Sequence, residues 1–288
     1  MIDSLIYSAT WMTSATLFFP QWEALQISEG KTWDRGPACG LSESEIMTIV
    51  VLYHGSRYRY FKNFYNGVVR VFLKSAFPGL PTYERFIALK PRILVPLTMY
   101  FASKSGKKTG LYYVDSTALA VCNNKRIGRH KVFEGLAARG KTSMGWFFGF
   151  KLHLVFNHVN EIVAVKLTPG NVSDAVPVPS LVKGLTGKLF GDKGYIGKKL
   201  ADMLLRQGLA LMTRVRKNMK SLPMTIEDKM LLNARNMAET IIGHIKAFSS
   251  LNIPKHRSIT NAFIHTIAAI TAYQLNPIQP RNLLPYNP

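Results

Sequence analysis

Acidic side chains are scarce in this chain. Sixteen Asp and Glu stand against thirty-seven Lys and Arg over 288 residues, a formal charge of +21. Such a charge would repel itself in a compact monomer and is most simply matched by a polyanion, nucleic acid first. Cysteine is nearly missing too. Cys39 and Cys122 lie far apart with no companion at metal-ligand spacing, which argues against a disulfide scaffold or a thiolate zinc site and for a reducing, cytoplasmic setting. No apolar run approaches the roughly 18 residues of a membrane span. The apolar, aromatic N-terminus lacks the positive segment that opens an export signal, so neither export nor a membrane partner is expected. Lys and Arg are themselves absent from residues 1–30, and the basic surface therefore belongs to the remainder. There is no internal repeat and no low-complexity tract. With 47% hydrophobic residues, a substantial core is still available.

The first hundred residues read as helical. Leu41, Ser42, Glu45 and Ile46 supply an N-cap, its capping-box partner and a hydrophobic staple, which predicts a helix from about Glu43 to Tyr53. Ser56–Tyr65 interleaves Arg57, Arg59 and Lys62 with Tyr58, Tyr60, Phe61, Phe64 and Tyr65. Cations beside rings suit a DNA contact as well as they suit an amphipathic helix with a packed aromatic face. Ser103–Gly110, basic and glycine-bearing, is the natural linker. Beyond it strand signals take over: Leu111–Cys122, a hairpin of Trp146–Phe156 with Glu161–Thr168, then Lys188–Ile196 and Leu209–Val215. Between the first strand and the hairpin, Asn123–Lys141 reads as a mobile basic loop carrying Lys125, Arg126, Arg129, Lys131, Arg139 and Lys141. Arg214, Arg216 and Lys217 close the last strand. Glu227–Phe248 is the longest helix signal, with Met230, Ala234, Met237, Ile241, Ile245 and Phe248 as its buried stripe. A last helix is expected over 259–273. The sum is an α/β protein, with an N-terminal helical region at 1–108, a mixed sheet flanked by helices at 109–275 and an irregular, proline-rich tail at 276–288.

Three of the few acids sit where structure alone would not choose them. Asp115 stands in the middle of an apolar strand, where a carboxylate is costly to bury unless it is paired or holds a metal. Asp192 ends a later strand between Gly191 and Gly194, small residues that let a ligand come close. Glu239 lies on the long helix. In a mixed sheet the ends of those two strands can be neighbours, so two Asp and one Glu can converge. Carboxylates suit hard Mg²⁺, and a pair of such ions stabilises both the attacking and the leaving oxygen of a phosphodiester displacement.

These residues, taken in order, resemble a known group. Asp115-Ser116-Thr117, the run Phe148–Val155 (FGFKLHLV), Thr168–Val172 (TPGNV), Gly191–Ile196 (GDKGYI), and Arg235, Glu239 and Lys246 on one helix resemble the bacterial insertion-sequence transposases of the DDE class. The closest likeness is to the insertion sequence 982 family. It runs from about Leu41 to Tyr273 and includes Gly128-Arg129-His130-Lys131; Leu232 stands where related patterns carry a tyrosine. The resemblance implies a ribonuclease-H-like catalytic domain with Asp115, Asp192 and Glu239 as a metal-binding triad for two Mg²⁺ ions, with Mn²⁺ as a substitute. It implies cleavage at the ends of an insertion sequence and strand transfer of the freed 3′-hydroxyl into target DNA. Arg235 and Lys246 would steady DNA phosphates or the carboxylate, and the N-terminal region would help recognise DNA ends. The basic residues Arg57, Arg59, Lys125, Arg126, Arg129, Lys131, Arg139, Lys141, Arg214, Arg216 and Lys217 are the further expected contacts to double-stranded DNA. Two ends must be joined, so a homo-oligomer on DNA is expected, in the bacterial cytoplasm and at the nucleoid when bound.

Plainer readings stand beside these. Asp115, taken alone, reads equally well as the partner of a Lys or Arg. Glu239 can pair with Arg235 across one helical turn, a surface effect of about 0.3–0.5 kcal/mol. His153 sits on a strand face beside Lys151, where a packed histidine is commoner than a general base. Asp174 reads as a helix cap. At the level of the whole chain, the rivals are a metal-dependent nuclease of the same fold and a basic DNA-binding protein, derived from a transposase, that does not cut.

Overall fold

The computed structural model describes residues 40–214, 224–249, 251 and 256–276. The expectations for residues 1–39, for Arg216 and Lys217, for the Phe248 side chain and for the tail beyond Asn276 lie outside them. The chain divides into two compact units.

The first unit holds the described residues up to Lys104 with those of 245–251 and 256–277. Its leading helix, Glu43–Gly55, begins at the sequence's capping box: Glu45 N donates to Ser42 Oγ at 3.3 Å, and Ser42 N donates to the Glu45 carboxylate at 2.7 Å. Leu41 and Ile46 are both buried, as the staple requires. The helix Ile259–Gln274 packs on it and on Leu94–Ser103, so the last helix, which in sequence follows the sheet, groups with the N-terminal helices. The basic aromatic segment divides its labour. Phe64 and Tyr65 enter the core, while Tyr58 and Tyr60 stay exposed and the Arg59 guanidinium lies 5.5 Å from the Tyr60 ring centroid.

The second unit spans Ser105–His244, with 252–255 and 278–288 outside the described residues. Six strands, β1 (Leu111–Cys122), β2 (Ala138–Thr142), β3 (Gly145–Asn157), β4 (Ile162–Pro169), β5 (Gly187–Gly191) and β6 (Leu209–Thr213), form one curled mixed sheet ordered β2-β3-β1-β5-β6, with β4 also on β3. β1 is the pivot, antiparallel to β3 and parallel to β5. The β1–β5 pairing starts where two glycines meet. Lys188 N donates to Gly110 O at 2.8 Å, and a Cβ on Gly187, whose φ is +108°, would stand 2.1 Å from that same oxygen. A side chain there would push the two strands apart.

Two expectations are corrected. The segment read as a mobile loop contains a 3-10 turn, Asn124–Arg129, and all of β2 but its last residue, Thr142. Phe133 is buried, stacked on His130 at 5.6 Å and edge-on to Phe150 at 5.6 Å, so the segment is packed onto the sheet. Glycines and exposed cations had masked the alternation of β2. The long helix is broken at Arg235 into Ile226–Ala234 and Asn236–Ser249. Of the expected stripe Ile241 and Ile245 are buried after the break, joined by Ala238 and Ile242, while before it Leu231 and Leu232 are buried instead and Met230 faces water. Among the described residues no helix is long and apolar enough to cross a membrane.

Phe133→Ala is expected to cost about 3 kcal/mol and to speed tryptic cleavage between Lys125 and Lys131. Digestion at the native rate would show that this ring does not hold the segment down.

Candidate active site

The sheet register sets the first two acids. Tyr113 pairs with Phe190 across the parallel β1–β5 ladder, and their rings lie 5.5 Å apart on one face. Two residues beyond that pair come Asp115, on β1, and Asp192, just past the end of β5, so continuing the register of strands roughly 4.8 Å apart would set them side by side on that face. Asp115 is half-buried and accepts a hydrogen bond from Ser116 N at 2.8 Å. Asp192 lies just past β5, where its carbonyl accepts from Tyr195 N at 2.9 Å, and half of its side chain is open to solvent.

Glu239 joins them through an arginine. At the break between the two helices, Arg235 is largely buried, with Nη2 3.0 Å from Glu239 Oε1 and 3.8 Å from Asp192 Oδ1. One guanidinium thus stands between two carboxylates from different elements. Its helix, Ile226–Ala234, is fixed to β5 by Lys188 Nζ, 2.6 Å from the buried Asp228 carboxylate, and is capped by Thr225. Arg214 follows the same logic. It leaves β6 level with Asp192, since Gly191 pairs with Thr213, and Nη2 donates to Asn233 Oδ1 at 2.7 Å. Asp115 feels the whole group: burial pushes its pKa up to about 6, against the Ser116 amide and Arg235, while the Glu239 and Asp192 charges push the same way as burial.

The structure therefore brings Asp192 and Glu239 to Arg235, with Asp115 within reach of their charges, while Arg214 meets Asn233, two residues before Arg235. Lys246 lies on the helix of Glu239, two turns later. Lys125, Arg126, Arg129, Lys131, Arg139 and Lys141 are exposed on and around the β2–β3 hairpin, beyond the far end of β1. Arg57 and Arg59 are exposed in the other unit.

A supporting cluster escaped the sequence reading. Asp174 is no helix cap; its Oδ1 accepts from Ser116 Oγ at 2.9 Å and from Lys151 Nζ at 3.1 Å, and Lys151 Nζ also reaches Val172 O at 3.0 Å. Tyr195 is buried beside them, its hydroxyl raised by burial and by the charges of Asp115 and Asp174. Strand alternation does place Ser116, Lys151 and His153 on one face, but it could not reveal that a loop carboxylate would meet them. His153 is fully buried and hydrogen-bonded to Thr168 Oγ1 at 2.9 Å, and burial drives its pKa down to about 4. A neutral, enclosed imidazole does not serve as the base for an external substrate.

The donor set is all hard oxygen, which suits Mg²⁺ better than a thiophilic ion. In the present side-chain positions, among the described residues, no three His, Cys, Asp or Glu side chains stand close enough to share one ion. Arg235 supplies the positive charge between Asp192 and Glu239 instead.

Carboxylates gathered at the ends of parallel strands, with arginines among them, form the kind of site that handles phosphate esters. The comparison with protein families agrees. Residues 105–259, more than half of the chain, match the transposase DDE domain, and the chain belongs to that family. It matches none of the curated proteins compared with it.

Asp115 holds its proton more tightly folded than unfolded, because its pKa rises from 3.8 to about 6. Its contribution to stability is therefore present in acid and is lost as the pH climbs from about 4 to about 6. In metal-free buffer, Asp115→Asn is expected to flatten that decline and to exceed the native chain in stability at about pH 7. Urea titrations across this range measure it, and a decline unaltered by the substitution would assign the pH dependence to other groups.

Proposed function

We propose that the protein is the transposase of a bacterial insertion sequence, cutting DNA at the element's ends and joining the freed 3′-hydroxyl to target DNA. The observation that carries this reading is Arg235 standing between Asp192 and Glu239 with the buried Asp115 within reach of their charges, and membership of the transposase DDE domain family supports it. The mixed pairing of β1, antiparallel on one side and parallel on the other, supports a ribonuclease-H-like domain. The motif order favours the insertion sequence 982 group.

Asp115, Asp192 and Glu239 would hold Mg²⁺, two ions at full loading with Mn²⁺ as a substitute, and these would polarise the scissile phosphate and activate water. The chain's own residues have separate tasks. Arg235 offsets the mutual repulsion of Asp192 and Glu239, keeping two acids from different elements within reach of each other. Arg214 and Lys246, with Arg216 and Lys217, offer positive charge to the DNA backbone near the reacting phosphate. The exposed Arg57 and Arg59 belong to a helical region, about 1–108, that binds the element's ends. Two ends must be held at once, which calls for a homo-oligomer on double-stranded DNA. The site of action is the bacterial cytoplasm, at the nucleoid when bound.

The test incubates the protein with Mg²⁺ or Mn²⁺, a supercoiled plasmid and linear DNA carrying the native flanks of its gene. Glu239→Ala and Asp192→Ala are each expected to lower cutting and joining by at least about a hundredfold while leaving DNA affinity within about twofold. Joining by Glu239→Ala would remove that residue from the site. Cutting by the wild type without joining would favour a nuclease of the same fold.

A further inference from the structure

Where the β2–β3 hairpin turns, two large apolar side chains face water. Met144 is 96% exposed and Trp146 57%. The tip is held in shape: Met144 N donates to Thr142 Oγ1 at 3.2 Å, and Gly145 takes a φ of +117° that a side chain would disfavour. Lys141 is the cross-strand partner of Trp146, and its Nζ lies 5.6 Å from a ring centroid of the indole. Asn124 Nδ2 donates to Trp146 O at 2.7 Å and so ties the turn Asn124–Arg129, which carries the exposed Lys125, Arg126 and Arg129, to the tip. From Ser116 to Asn160 the sequence has one acid, Glu134.

We propose that this tip is a second DNA contact, one that stacks Trp146 against an unpaired or unstacked base while Lys125, Arg126, Arg129 and Lys141 bind the phosphates that flank it. The proposal rests on the reading that DNA is the substrate. The cations alone would suffice for duplex phosphates, whose surface offers an indole nothing to cover. An unstacked base does present an exposed flat face, and an aromatic ring between cations is the arrangement that receives it. The tip is also remote from the acids. Asp115 pairs with Leu154 on β3, eight residues from Trp146, so the two lie about 26 Å apart along the strand. The contact therefore falls on DNA several base steps from the reacting phosphate and adds to binding without entering the chemistry.

The experiment measures fluorescence anisotropy of the full-length chain with two labelled DNAs of equal length, one fully paired and one forked, in EDTA so that nothing is cut. Trp146→Ala is expected to weaken binding of the fork about tenfold, Trp146→Phe to recover most of that loss, and both variants to bind paired DNA within about twofold of the wild type. Equal affinity of the wild type and Trp146→Ala for the fork, or an equal loss on both DNAs, would overturn the proposal and leave the transposase reading standing. So would a change of oligomeric state with unaltered fork binding, which would assign the tip to contact between copies. A wild type that binds neither DNA would overturn the transposase reading and this inference with it.

Discussion

Asp115 and Asp192 are neighbours because of backbone hydrogen bonds rather than because of any attraction between them. Two neighbouring carboxylates repel, and burial makes the repulsion worse, yet the parallel ladder between β1 and β5, which pairs Tyr113 with Phe190, holds the residues two positions before each of them together. That ladder depends on the contact of Gly110 with Gly187, where a single Cβ would stand 2.1 Å from a carbonyl oxygen. The cohesion of the ladder and of the apolar residues around Tyr112, Val114, Leu189 and Leu209 is set against the repulsion of the acids. The site is thus a local cost carried by a stable sheet.

Arg235 settles most of what remains of that cost. Its guanidinium reaches Asp192 and Glu239, but not closely enough to Asp115 to outweigh burial, and Asp115 keeps a raised pKa. The helix break at Arg235 is what lets one side chain serve two elements. In an unbroken helix from 226 to 249, the residue before the turn would keep the buried stripe in line, whereas here the stripe shifts and Arg235 is drawn inward. The Lys188–Asp228 ion pair anchors this helix to the strand that ends in Asp192, so Arg235 and its partner acid share a foundation. The Ser116–Asp174–Lys151 cluster does the same on the other face of β1.

Local features were legible where a local cause was sufficient. The capping box at Ser42 and Glu45 predicted the start of its helix, and alternation predicted the β3–β4 hairpin, now seen with Leu154 opposite Val165. The pairing of the first strand with the one before Asp192 followed from chain order and the rules of mixed sheets. Three failures share one cause. β2 was hidden because Gly140 and the flanking cations interrupt its pattern, and only pairing with β3 makes it a strand. The break at Arg235 and the role of Asp174 were missed because each answers at least in part to a distant partner, Asp192 for Arg235 and Ser116 and Lys151 for Asp174.

The amino-acid sequence by itself determined the charge balance, the types and starts of most elements, and which three acids stand in unusual surroundings. These follow from propensity, periodicity and composition, which act over a few residues. The tertiary structure alone decided that Arg235 stands between Asp192 and Glu239, that Asp174 binds Ser116 and Lys151, and that Trp146 is left in water with Lys141 beside its ring. Those facts depend on where distant segments meet, and such meetings are set by the packing of the whole sheet and its helices, which no short stretch encodes.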